Sequence, residues 1–177
     1  MRALLLLLIL GGSWLTWYRI SLAYARQAEP PALAEAAGLT VQSGVGGVPV
    51  PLVDGLGEVR TGTGATERVR WQLLEPTAVG DLDGDGVAER VIVGAVDCGG
   101  SGTWRELVVL DRERAAVVQR AALDLGDRVE VDSLAFDGDR LVVGLRTHGS
   151  DDSMSAPTVP TLLVLRLVEG VLVPAGA

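Results

Sequence analysis

The sequence predicts an all-β, antiparallel domain, and three observations carry that expectation. From Arg68 onward, short Val/Ile/Leu-rich runs of strand length are separated by turn signals. The two halves of that region match each other. An acidic, glycine-punctuated loop lies between two such runs, with no amphipathic helix before it.

The elements follow in order. Arg68–Leu74 alternates, Glu89–Asp97 is a Val/Ile run, Glu106–Asp111 a second and Ala115–Ala121 a third. Arg128–Phe136 sets Val129, Val131 and Leu134 against Glu130, Asp132 and Ser133, and the slip in phase predicts a bulge. Leu141–Arg146, Thr161–Leu167 and Val171–Val173 complete the set. RVIVGAV at 90–96 pairs with RLVVGLR at 140–146, and ELVVL at 106–110 with LLVLRL at 162–167. A Gly/Ser loop follows the first member of each half: Cys98–Thr103, then His148–Pro160. The period of about 50 residues suits a four-stranded unit such as a propeller blade, with repeats at about 77–125 and 131–174. Two units cannot close a propeller, so a sandwich or curled sheet is expected.

Residues 1–25 read as a signal peptide or membrane anchor. Met1-Arg2 is a short positive start, Ala3 to Tyr18 is apolar, and Ala23-Tyr24-Ala25 fits a small-x-small cleavage site. The competing reading is an uncleaved anchor over about Ala3 to Ala23, with Trp14, Trp17 and Tyr18 at the interface. Either way the domain is extracytoplasmic, in the periplasm or at the cell surface, and meets a membrane only through that segment. Residues 26–67 read as irregular and flexible, with a short helix around Ala32–Ala37 and extended prolines in Val48-Pro-Val-Pro-Leu52. Residues 68–177 read as the β-domain.

All 15 basic residues are arginine, there is no asparagine, and the net charge is −8. That balance argues against nucleic acid, which demands a basic footprint. Cys98 is the single cysteine, so no intramolecular disulfide can form. A nucleophilic Cys98 would need His148, the one histidine, and no supporting catalytic motif accompanies the pair.

Residues 80–90, GDLDGDGVAER, carry the chemistry. Asp81, Asp83 and Asp85 alternate and Glu89 closes the run, so oxygens can converge on one hard cation. Calcium takes six to eight oxygens in a flexible cage. The three aspartates, the Val87 carbonyl and the Glu89 carboxylate are the expected ligands, with Gly84 and Gly86 supplying positive φ. Four carboxylates without a cation would repel one another. An EF-hand would place a glutamate at loop position 12, where this chain has Ile92. The acidic residue at position 9 resembles instead the DxDxDGxx(D/E) loops of integrin-type FG-GAP repeats, which sit between strands. In the second half, Phe136-Asp-Gly-Asp139 is only a tight turn, so one structural calcium is expected.

The stretch from about Val50 to Val173 also resembles a group of bacterial exported proteins of no established activity. VPLVDG, GDLDGDGVAE, GGSGTW, LGDRVEVDSL and THGSDDSMSAP carry the likeness. Relatives in that group often have an aromatic pair after GGSGT, where this chain has Trp104-Arg105, and some have two cysteines where it has Ser155-Ala156. A disulfide or metal role for those cysteines does not transfer here. The resemblance implies fold and location, not a reaction.

The expected function is a non-catalytic envelope or surface domain, calcium-stabilised, that binds another protein or a cell-envelope component through its Gly/Ser loops. The alternatives are an extracytoplasmic hydrolase or a carbohydrate-binding module with structural calcium. Asp151-Asp152 is the only candidate catalytic pair for the former. Trp71, Trp104 and Phe136 are too few for an obvious stacking platform in the latter.

Overall fold

The computed structural model describes residues 29–176; the expected signal or anchor segment, 1–25, lies outside them. Among the described residues no helix is long and apolar enough to cross a membrane. The elements are α1 (Leu33–Ala36), β1 (Thr40–Gln42), β2 (Pro49–Pro51), β3 (Leu56–Arg60), β4 (Arg68–Gly80), β5 (Glu89–Asp97), β6 (Trp104–Glu113), β7 (Ala116–Asp127), β8 (Glu130–Asp137), β9 (Arg140–Thr147), β10 (Val159–Val168) and β11 (Val171–Pro174).

The protein is all-β and its strand pairs are antiparallel. β3-β4-β5-β6-β7 form a five-stranded sheet, β8-β9-β10-β11 a four-stranded sheet, and β1-β2 a separate ribbon. Both large sheets are meanders, because each connection is short enough only to reach the neighbouring strand. The bulge expected in β8 is present as a register shift between Val131 and Ser133.

The described part of the segment 26–67 is not the irregular wrap that its prolines suggest. Within its described part, β3 is an edge strand of the five-stranded sheet and α1 with the β1–β2 ribbon covers a face of it. Pro49 and Pro51 point outward while Val50 between them is buried. A two-stranded ribbon has free edges, so a missing N–H there costs no ladder bond. The same logic corrects the start of the first repeat. β4 runs unbroken from Arg68 to Gly80, with Pro76 inside the register shift between Leu74 and Ala78.

Two cores result. Val91, Val93, Leu107, Val109, Leu141, Val143, Leu145 and Leu165 fill the space between the large sheets. Trp71, Ile92, Val96, Val108 and Leu110 fill the opposite face of the five-stranded sheet, under Ala36, Val41, Val50 and Leu52. β5 and β6 are therefore buried on both faces, which explains their unbroken apolar runs. Glu106 fastens the cover: it is fully buried and accepts the Trp71 indole N–H at 3.0 Å and the Gly44 amide of the N-terminal segment.

Candidate metal centre

The acidic loop joins β4 to β5, so it is flanked by strands and not by helices. Its backbone is curled by its own aspartates. Asp81 accepts the amides of Gly84 (2.8 Å) and Gly86 (2.9 Å), Asp83 that of Asp85 (3.1 Å), and Asp85 that of Val87 (2.7 Å). Gly84 and Gly86 adopt φ of +81° and +87°, where a side chain would be strained. One carboxylate oxygen from each of Asp81, Asp83, Asp85 and Glu89 falls within 4.8 Å of the others. Val87 belongs to the loop through its amide; the cluster itself is the four side chains.

Glu89 differs from the three aspartates. It is the first residue of β5 and only 1 % exposed. Its Oε2 accepts the Leu82 amide at 2.6 Å, while Oε1 is buried with no hydrogen-bond partner among the described residues. Burial pushes its pKa up to about 7; the Leu82 amide opposes this, and Asp83, Asp111 and Asp85 add to it. A buried carboxylate oxygen without a donor is costly. A cation within the cluster would remove that cost. Four carboxylate oxygens within 4.8 Å of one another can converge on a single hard cation. The donor set, hard oxygens throughout, suits the same class of ion.

Three residues shape this centre without being evident in the sequence. Leu82, between two aspartates, is buried in the inter-sheet core and anchors the loop. Asp111 at the far end of β6 is buried and held by Arg120 of β7 (Nη2–Oδ2 2.6 Å), and the Arg120 charge also interacts with Asp83. The one readable signal is Leu82, the sole apolar residue in an Asp/Gly run.

The remaining candidates separate clearly. Cys98 packs against the outer core, and burial, Asp97 and Glu106 push its thiol up, so it is a poor nucleophile. His148 is exposed. Asp152 is a loop pin, accepting the Gly149 amide and both the amide and hydroxyl of Thr158. Trp71 is buried, and Trp104 and Phe136 are half-buried. The two Gly/Ser loops meet at Arg128, whose guanidinium donates to the Ser101 carbonyl and lies 3.9 Å from Met154 Sδ. That meeting point is at the opposite end of β5 from the acidic loop.

No protein-family model, curated protein or solved structure matches this chain.

Proposed function

We propose that this chain is a non-catalytic, exported β-domain held by one structural calcium ion, and that it acts as an interaction module in the cell envelope. The observation that carries the metal is Glu89: its Oε1 is buried and unpartnered, and one of its carboxylate oxygens lies within 4.8 Å of an oxygen from each of three aspartates. Asp81, Asp83, Asp85 and Glu89 would supply side-chain oxygens and Val87 a carbonyl. Calcium is favoured over magnesium because it accepts a flexible cage of six to eight oxygens, such as a curled acidic loop supplies, whereas magnesium demands a near-ideal octahedron. Export rests on the apolar, Arg-led N-terminus and the small-x-small site at Ala23–Ala25.

The reading includes an internal duplication. β4–β7 and β8–β11 have the same up-and-down order, with RVIVGAV and RLVVGLR in their second strands. The acidic loop of the first copy corresponds to the Gly138-Asp139 turn of the second, which leaves one metal site. The Cys98–Thr103 and His148–Pro160 loops, joined at Arg128, would form the partner-binding end.

Thermal melting with calcium, magnesium or chelator tests the metal. At free calcium about 100-fold above Kd the native state gains about 2.7 kcal/mol. For a domain of this size that raises Tm by about 5–10 °C. No difference between calcium and chelator would refute the site.

A further inference from the structure

Met154 stands at the tip of the second Gly/Ser loop and is 67 % exposed. It is the only methionine among the described residues; the other is Met1. The base of its loop is pinned, because Asp152 accepts the amides of Gly149 and Thr158 and the Thr158 hydroxyl. The tip, residues 153–156, is closed on itself by the Ala156 amide on the Ser153 carbonyl at 3.1 Å. Among the described residues its one polar contact with another element is Met154 Sδ, 3.9 Å from Arg128 Nη1.

Arg128 is already fixed on the first Gly/Ser loop. Its amide donates to the Thr103 carbonyl at 2.8 Å, and its Nη2 donates to the Ser101 carbonyl. Nη1 pairs with Asp127 Oδ2 at 3.0 Å, and Asp127 in turn accepts the Thr103 amide. Nη1 carries two N–H groups. Asp127 takes one, and the other is left to a thioether, a weak acceptor. A held, charged donor therefore faces a poor acceptor on an exposed sulfur. The second sulfur among the described residues, Cys98, packs against the outer core with its thiol pushed up by burial, so a peroxide meets Met154 first.

We infer that Met154 is a site of reversible oxidation by peroxides, and that its sulfoxide latches the tip of its loop to Arg128. The sulfur attacks the outer oxygen of a hydroperoxide and gives up two electrons. An S–O bond forms and the O–O bond breaks. The remaining oxygen leaves with the peroxide proton, as water or an alcohol. The product is polar and is reversed by sulfoxide reductases. A separation of 3.9 Å is too long for a strong hydrogen bond, yet it holds one oxygen between sulfur and nitrogen. A charge-assisted N–H···O bond then replaces a weak N–H···S contact. In a core the same oxidation would disrupt packing; this exposed tip has no packing to lose. Only the consequence rests on the proposed function: a partner-binding end whose shape follows its oxidation state.

The full chain is treated with hydrogen peroxide and cleaved after arginine, and the 147–166 peptide, which contains Met154, is weighed. One added oxygen, removed by a methionine sulfoxide reductase, is expected. NMR of the intact chain should show amide exchange at Ser153, Met154 and Ser155 slowing about tenfold on oxidation, the step one charged hydrogen bond supports. Met154→Gln puts a carbonyl oxygen where the sulfoxide oxygen stands, and should slow exchange as much without peroxide. Met154→Leu should show neither the mass gain nor the slowing. Arg128→Leu should take up oxygen without the slowing, while its melting curve shows that it remains folded. Exchange that is unchanged or faster on oxidation, or equally slowed in Arg128→Leu, overturns the latch. A 147–166 peptide that gains no oxygen overturns the site. Neither result touches the calcium-dependent melting by which the metal is judged.

Discussion

The five-stranded and four-stranded sheets share an order of connection and differ in what covers them. β5 of the first carries Gly94, where an added Cβ would strike the Trp71 ring at 2.1 Å; the glycine lets the indole lie against the sheet beneath the N-terminal cover. β9 of the second carries Gly144 at the matching point of RLVVGLR, and there an added Cβ would meet the Ser133 hydroxyl at 2.4 Å. The outer face around Gly144 has no cover among the described residues. Leu162, the register partner of Gly144, is 67 % exposed, and Val168 and Val171 are exposed at the far end of β10. Similar strand sequences therefore give a twice-buried sheet and a once-buried sheet, and the difference is made by a segment outside both.

The largest test of that contrast is truncation of the outer faces. Ile92→Ala, under the N-terminal cover, should cost about 2–5 kcal/mol in denaturant unfolding. Leu162→Ser, on the uncovered face, should stay within about 0.5 kcal/mol. Comparable losses at both positions would mean that the second sheet is covered too, and would break the comparison.

The connecting loops differ next. Asp83→Ala should abolish most of the calcium-induced rise in Tm, and Asp137→Ala in the corresponding turn of the second sheet should leave it intact. If both variants lose the shift, the second turn also contributes to the metal site and the loops are not distinct.

A smaller effect separates the turns of the second sheet themselves. Glu169 and Gly170 both have positive φ (+51° and +78°), as a two-residue type I′ hairpin requires. Glu169 bears the strain of that conformation. Glu169→Gly should therefore stabilise β10–β11 or leave it unchanged, whereas Gly170→Val should destabilise it by about 1–2 kcal/mol. Chemical denaturation of the two variants distinguishes them.

The smallest effect is acid sensitivity. The Gly99 amide at 2.7 Å, helped by Arg68, holds Asp97 at the end of β5 below the usual carboxylate range. A depressed folded pKa gives stability that is full above the unfolded value, about 3.9, and is lost as pH falls through the folded one. Protection of the Gly99 amide from hydrogen exchange should fall over that acid range. Asp132, paired with Arg146 but exposed to solvent, should give the second sheet almost no matching change. Asp97→Asn removes the acid transition at Gly99 if this assignment holds.

Much of this was legible along the chain. The sequence by itself determined the antiparallel β class, because strand-length apolar runs between turn residues leave few other ways to bury their side chains. It also determined the acidic loop and its glycines, since Asp81, Asp83, Asp85 and Glu89 lie within nine residues and their convergence is local. The bulge in β8 showed as a slip in alternation for the same reason. What only the tertiary structure decided was long-range. Periodicity states that Ile92 and Val93 are both buried, and cannot state that one faces the N-terminal ribbon and the other the second sheet. The prolines at 49 and 51 argued for irregular chain, and packing of Val50 outweighed them. Arg105 reads in sequence as one more surface charge after Trp104. The burial of its Nη1 with no acceptor among the described residues arises only once β8 and β9 close against β4 and β6, because an unmet hydrogen bond is a property of everything that surrounds it.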